Sequence, residues 1–159
     1  MNESDLRNAM GAHGNTVYRL ALCRMQSVPD AEDVYQDVFL SLFRQPERVW
    51  EPEHLKAWLI RATLNRCADL HRFRLRRLVL SLEEVAEVAG ETAEPQAEIW
   101  EAVARLPEKL RIPVHLYYGE GYSTEEISSL TGIPAATVRT RLHRARERLK
   151  DLLGGFDDA

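Results

Sequence analysis

The sequence predicts an all-α protein built from two small helical domains that are joined by an acidic linker. Three observations predict this fold class: apolar residues recur at helical spacing along most of the chain, no segment alternates long enough to form a strand, and an acidic stretch divides the chain. Of 159 residues, 45% are hydrophobic and 29% are charged. This composition is typical of folded globular proteins and excludes disordered and collagen-like classes.

The first half of the chain predicts three helices. Residues 5–25 form one long helix or two shorter ones, because Gly11 and Gly14 weaken the front of the segment. A second helix begins at Pro29–Asp30 and ends near Arg44, and a third covers residues 53–77. The residues expected to face the core on the third helix are Leu55, Leu59, Ala62, Leu70 and Phe73.

The second helix carries an acidic stripe opposite its apolar face. At about 100° per residue, Asp30, Asp33 and Asp37 fall within about 60° of one another. A metal site is conceivable, but these carboxylates lie along one helix with no histidine or opposed partner to complete a coordination sphere. A solvated face or a docking surface is therefore favoured over a metal site.

The third helix carries a polar stripe suited to nucleic acid. Its members fall within about 80°, and they are Arg61, Asn65, Asp69, Arg72 and Arg76. Asn65 could make a paired donor and acceptor contact to a base, and Asp69 could orient Arg72 from one turn away. Trp58 could stack on an unpaired base, but a tryptophan at helical spacing is more often part of the core.

Negative charge is concentrated in the middle of the chain. The net charge of −4 argues against a high-affinity nucleic-acid binder that acts alone. Residues 81–99 hold six acidic and no basic side chains, and residues 79–98 are predicted to be an acidic linker. Within it, Ser81 and Glu84 could form a capping box that starts one short helix.

The second half predicts a helix-turn-helix. Two helices over residues 99–106 and 107–118 are followed by a turn at Gly119 and Gly121. Ser123 and Glu126 then form a capping box that opens a short helix, and a tight turn over residues 131–134 leads into a second helix.

The last predicted helix has one apolar face and two basic faces. The apolar face consists of Val138, Leu142, Ala145 and Leu149. One neighbouring stripe contains Thr137, Arg141, Arg144 and Arg148, and another contains Arg139, His143, Arg146 and Lys150. A solvated basic helix in an unrelated hairpin would share this pattern, but the preceding capped turn favours DNA binding.

The sequence gives no support for an enzyme. It has no dinucleotide or nucleotide phosphate-binding motif, no zinc-protease motif and no nucleophile elbow. Its five histidines are scattered, and its two cysteines are too far apart for a metal-binding pair. No cofactor, metal or small-molecule substrate is therefore expected. No apolar run approaches the roughly 20 residues that span a bilayer, and residues 1–7 lack the pattern of a signal peptide, so a cytoplasmic protein without membrane insertion is expected.

Three segments in order resemble a known family. They are DAEDVYQDVFLSLFR (30–44), LKAWLIRATLNRCADLHRFRLRR (55–77) and LPEKLRIPVHLYYGEGYSTEEISSLTGIPAATVRTRLHRARERL (106–149). Their order and spacing resemble the extracytoplasmic-function sigma factors of bacterial RNA polymerase. The resemblance implies a promoter-melting domain over residues 1–78 and a helix-turn-helix domain over residues 99–154. It also implies three partners, namely core RNA polymerase, promoter DNA and an anti-sigma factor.

The resemblance further implies a role for individual residues. The set expected to dock the core polymerase is Asp30, Asp33, Gln36 and Asp37. The set expected to read and open the downstream (−10) promoter element is Arg61, Asn65, Asp69, Arg72 and Arg76. The set expected to read the upstream (−35) element is Ala135, Ala136, Thr137, Arg139, Thr140, Arg141 and Arg144. Two alternatives stay open on the sequence alone: a helix-turn-helix regulator that acts without polymerase, and an interaction module that titrates regulators.

Overall fold

The computed structural model describes residues 1–77 and 97–153, and within them every regular element is helical. These residues belong to two compact units, which are described separately. The predicted all-α fold class is therefore confirmed for the described part of the chain.

The N-terminal unit consists of three helices, α1 (Glu3–Met25), α2 (Val28–Phe43) and α3 (Pro52–Arg77). Residues 5–25 lie in one unbroken helix, so the first of the two predicted arrangements is observed. α1 ends at Gln26, which has a left-handed φ of 53°, and the Ser27 hydroxyl caps α2 by accepting from the Asp30 N–H at 3.4 Å. This tight connection folds α2 back beside α1.

The core of this unit is built from one apolar face each of α1 and α2, together with α3. Its fully buried members include Val17, Leu20, Ala21, Ala31, Val34 and Leu42. Gly14 also contributes, because a Cβ there would lie 3.1 Å from the Tyr35 hydroxyl oxygen. The glycine that weakens α1 as an isolated helix thus provides space for Tyr35 of α2.

The buried face of α3 is rotated from the predicted one. Leu59, Ile60, Thr63 and Cys67 are fully buried, whereas Phe73, which was expected in the core, is 51% exposed. The polar Thr63 is accommodated because its hydroxyl donates to the Leu59 carbonyl oxygen at 2.7 Å. The prediction for Phe73 is wrong because Thr63 and Cys67 occupy the centre of the packed face and leave Phe73 at its edge.

The C-terminal unit consists of α4 (Ala97–Ala104), α5 (Glu108–Val114), α6 (Thr124–Thr131) and α7 (Ala135–Leu152). A π-helical turn over His115–Gly119 continues α5, so the single helix predicted for residues 107–118 changes its winding partway. Leu106, Leu116, Ile127, Val138 and Leu142 are almost completely buried.

The predicted helix-turn-helix is confirmed. Ser123 and Glu126 form the capping box, with the Glu126 N–H donating to the Ser123 hydroxyl at 3.1 Å and the Ser123 N–H donating to Glu126 Oε1 at 2.9 Å. α6 ends at Gly132, whose φ of 78° favours glycine, and α7 begins after Pro134.

The structure describes only the C-terminal end of the predicted linker. α4 begins at Ala97, inside the range 79–98, and the rest of that range, including the predicted capping box at Ser81 and Glu84, lies outside the described residues. Among the helices that the structure describes, none is long and apolar enough to cross a membrane.

The packing of α3 makes a testable prediction. Leu59→Ala removes a completely buried side chain and should lower the free energy of unfolding by about 2–5 kcal/mol, measured by chemical denaturation. The control is Leu40→Ala, which makes the same deletion at a side chain that is 46% exposed and should change stability by about 0.5 kcal/mol or less. Equal losses in the two variants would contradict this assignment of the core.

Candidate nucleic-acid interface

Helix α7 presents a polar surface that starts at its first turn. Val138, Leu142 and Ala145 are buried, and their positions fix which side of the helix faces solvent. Of the candidates for the upstream element, the exposed ones are Ala136, Arg139, Thr140 and Arg144, and the half-buried ones are Ala135, Thr137 and Arg141. The structure therefore brings the whole predicted set together on the first three turns of one helix.

Two of these residues already have partners within the unit. The Arg139 guanidinium lies 3.5 Å from Glu125 Oε1 on α6. The pKa of the Glu125 carboxyl is lowered, mainly by a backbone hydrogen bond and secondly by a hydrogen bond from the Thr124 side chain. This carboxyl is therefore ionised beside Arg139. The Thr140 hydroxyl donates to the Ala136 carbonyl oxygen at 3.1 Å. Arg139 is thus partly neutralised before any ligand arrives.

Helix α3 presents the second predicted polar surface. Arg61, Asn65, Asp69 and Arg72 are all exposed on one side of the helix. Asp69 accepts a hydrogen bond from Arg72, so the predicted pairing between these two side chains is confirmed. Arg76 lies in α3, but its side chain is outside the described residues.

A shallow, open depression borders this α3 surface. It has a volume of about 510 Å³ and is lined by Arg66, Asp69, Leu70, Arg72 and Phe73. Sequence analysis missed Arg66 and Phe73 as surface residues here, because Phe73 was assigned to the core. The signal that could have found them is angular, since both lie beside the polar stripe on the helical wheel.

Trp58 belongs to the core region, as favoured by the sequence. It is partly buried against the core of the N-terminal unit, and its ring lies 5.9 Å from that of Trp50 in an edge-on arrangement. The Arg48 guanidinium lies 3.5 Å from the centre of the Trp50 ring. These contacts anchor the segment between α2 and α3.

The exposed acidic stripe predicted on α2 is wrong at Asp30 and only partly exposed at Asp37. Asp30 is only 2% exposed, and its backbone N–H donates to the Ser27 hydroxyl at the start of α2. Asp37 is half-buried, and its Oδ2 accepts from Arg66 Nε of α3 at 2.6 Å. Asp33 and Gln36 are exposed as expected.

The exposed face of α2 also has an apolar part that sequence analysis missed. Leu40 is 46% exposed and Phe43 is 40% exposed. Together with Asp33 and Gln36 they fall within about 80° on the helical wheel. A face that combines an acid, an amide and two large apolar side chains is typical of a protein-docking surface.

Within the described residues, no cluster of three or more His, Cys, Asp or Glu side chains could hold a metal ion. Cys67 is buried and Cys23 is half-buried, and neither forms a disulfide.

Comparison with protein families assigns both units. Residues 10–87 match the family described as Sigma-70 region 2, and residues 96–149 match Sigma-70, region 4. The curated relatives include the ECF RNA polymerase sigma factor SigE of Mycolicibacterium smegmatis, which is 35% identical over 89% of this chain and 58% of the relative. They also include SigM of Mycobacterium tuberculosis, which is 33% identical over 89% of this chain and 74% of the relative.

The solved structures that share the fold include two complexes. One is the sigma factor RpoE in complex with the anti-sigma factor NepR from Bartonella quintana, with a TM-score of 0.78 and 23% identity over 96% of this chain and 99% of the other. The other is CnrH in complex with the cytosolic domain of CnrY, with a TM-score of 0.63 and 26% identity over 96% and 89% of the two chains. Family matches over both units, in the order that the motifs predicted, lead to one conclusion: the chain belongs to the extracytoplasmic-function sigma factors, which are transcription initiation factors of bacterial RNA polymerase.

Proposed function

We propose that this chain acts in the cytoplasm as a dissociable specificity subunit of RNA polymerase that catalyses no covalent step itself. It binds the core enzyme, recognises a promoter with two separate elements and stabilises the melted strand. The observation that carries this proposal is the polar surface of α7. This helix follows the capped helix α6 and a tight turn, and the unit that contains them matches a sigma-factor family.

In this proposal the domain over residues 99–154 reads the upstream element through α7. The first turns of a recognition helix reach base edges in the major groove, whereas later side chains reach phosphates. Ala136, Thr137, Thr140 and Arg141 lie in the first two turns, and Arg144 follows in the third. The early residues, Arg141 among them, would set sequence preference, and Arg144 would add affinity by contacting a phosphate.

The domain over residues 1–78 reads and opens the downstream element through α3. The exposed Asn65 side chain would offer a hydrogen-bond donor and an acceptor to one base, while the exposed Arg61 and Arg72 would face the DNA backbone. Unpairing costs a few kcal/mol per base, and capture of an extruded base together with phosphate contacts can offset that cost. Melting therefore needs no nucleotide hydrolysis by this chain.

Docking to the core polymerase uses the exposed face of α2. Asp33 and Gln36 keep the role that their family positions imply, and Leu40 and Phe43 extend the surface. Asp30 and Asp37 contribute through the structure, because the first is buried and the second holds Arg66. With a net charge of −4 the chain should bind DNA weakly alone, and docking would raise the effective concentration of its DNA-reading surfaces.

An anti-sigma factor is a further proposed partner. RpoE and CnrH, two of the structural relatives, were both solved with protein partners, and NepR is an anti-sigma factor. A partner of this kind would keep the chain inactive by covering its polymerase-binding or DNA-binding surfaces.

The principal alternative is a helix-turn-helix regulator that acts without polymerase. Such a protein would dimerise and bind a palindrome tightly as a free protein. The match of residues 10–87 to Sigma-70 region 2 favours the sigma-factor assignment, because a regulator of that kind has no need for a polymerase-docking unit.

The proposal is tested by transcription with core RNA polymerase on a pool of random upstream sequences, with and without the protein. Transcripts that depend on the protein and share a two-part upstream motif would support it. If the pool yields no such transcripts and the free protein instead protects a palindrome, the regulator alternative is correct.

The docking surface makes a specific prediction. Asp33→Arg reverses an exposed charge on α2 and should weaken binding to core polymerase by about tenfold or more, because like-charge contacts at an interface cost several kcal/mol. Binding of a fluorescently labelled chain to core measures the effect. The control is Glu3→Arg, which reverses an exposed charge on α1 and should leave core binding unchanged. Equal binding of both variants would contradict the docking role of α2.

The recognition helix makes a second prediction. Arg141→Ala should abolish the upstream half of the selected motif and lower affinity for the promoter by about 1–3 kcal/mol, because a base contact is lost. The control is Arg105→Ala, which removes an exposed arginine outside α7 in the same unit. An unchanged motif with Arg141→Ala would place base reading elsewhere.

A further inference from the structure

Tyr118 and Arg146 form a polar pair beside the recognition helix that none of the roles above uses. Tyr118 lies in the π-helical turn and is 52% exposed, and Arg146 lies in the second half of α7. The Arg146 Nε–H donates to the Tyr118 hydroxyl oxygen at 2.7 Å, and the guanidinium carbon lies 5.8 Å from the centre of the ring. The contact joins residues that are 28 positions apart, so it fixes the arginine against the body of the unit.

The partner of Arg146 is neutral, which distinguishes this arginine from others at the candidate surfaces. Arg139 lies against Glu125, Arg72 against Asp69 and Arg66 against Asp37, so each of those cations faces a carboxylate. Within the described residues, no carboxylate forms an ion pair with Arg146. A phenol hydroxyl orients the guanidinium without cancelling its charge.

The hydrogen-bond donors that this pair leaves unused can all bind one anion with several oxygen atoms. Arginine has five N–H donors, and the bond to Tyr118 uses only the one on Nε. The four on the terminal nitrogens remain, and the Tyr118 hydroxyl that accepts from Nε keeps its own proton to donate. A phosphate presents several acceptor oxygens and a full negative charge, so it can accept from the hydroxyl and the guanidinium together.

We propose that Tyr118 and Arg146 form a binding site for a DNA backbone phosphate beside the upstream promoter element, in which Tyr118 holds Arg146 in place. This inference rests on the proposed function, since it requires α7 to lie on DNA. Arg146 is seven residues from Arg139, and the two fall within about 20° on the helical wheel. Arg146 therefore lies about 10 Å further along α7 than the turns proposed to read bases. At that distance it would meet the DNA backbone at the edge of the major groove.

The test measures promoter affinity of the full chain assembled with core polymerase over a range of salt concentrations. Arg146→Ala removes one phosphate contact, so the slope of log affinity against log salt should become shallower by about 0.9. The loss should be equal on the selected promoter and on a promoter with a scrambled upstream element, because phosphate contacts carry no sequence information.

Tyr118→Phe isolates the hydroxyl, since it keeps the ring. It should lower affinity by about three- to tenfold with little change in the salt slope, because the arginine loses its orienting bond but keeps its charge. Combined with Arg146→Ala, the effect should be smaller than the product of the two single effects. Tyr117→Phe makes the same change on the adjacent tyrosine and should leave affinity unchanged. Thermal unfolding checks that all variants fold equally well.

Three outcomes would overturn the inference. One is an unchanged salt slope in Arg146→Ala, and another is an equal effect of Tyr118→Phe and Tyr117→Phe. The third is weaker assembly with core polymerase while DNA affinity is preserved, which would assign the pair to a protein partner. Failure of the proposed function is seen separately, because Arg141→Ala would then not change the preference for the selected over the scrambled upstream element.

Discussion

The rotation of each helix about its own axis, fixed by the side chains that it buries, is the constraint on which the rest of the structure depends. In α7, Val138, Leu142 and Ala145 are almost completely buried. Burying a leucine contributes about 1.5–3 kcal/mol, whereas burying an unpaired charge costs several kcal/mol. Both effects favour the same rotation. The apolar stripe therefore decides which arginines of α7 face outward, and the same argument applies to the polar stripe of α3.

Partners within each unit then decide which outward cations already lie against a carboxylate. Glu125 holds Arg139 and Asp37 holds Arg66, so these arginines are oriented but partly neutralised. Tyr118 holds Arg146 through a neutral hydroxyl, which orients the side chain and preserves its charge. A count of basic residues on a helical wheel thus overstates the charge available to DNA at some positions. The contact from Asp37 to Arg66 also ties α2 to α3, the two helices proposed to dock the polymerase and to read the downstream element.

The order of helices, the capping box at Ser123 and the helix-turn-helix could be predicted from the sequence, because they depend on local spacing and on capping within a few residues. The departures at Asp30, Asp37 and Phe73 have a different origin. Asp37 is paired with Arg66 of α3, Asp30 is 2% exposed and Phe73 is 51% exposed, and each of these outcomes depends on tertiary packing. Periodicity gives the angle of a side chain on its helix but does not identify its tertiary partner. The pairing of Tyr118 with Arg146 across 28 positions was hidden for the same reason.

The central claim is that one non-catalytic chain both directs the polymerase to a promoter and opens it. Permanganate reactivity of thymines in a promoter duplex tests this claim most directly, with core polymerase and the chain present and all nucleotides left out. The account predicts reactive, unpaired thymines in the downstream element with the complete assembly, and none with core polymerase alone or with the free chain. Thymines that stay protected in the assembly, or that react only after a hydrolysable nucleotide is added, would contradict it.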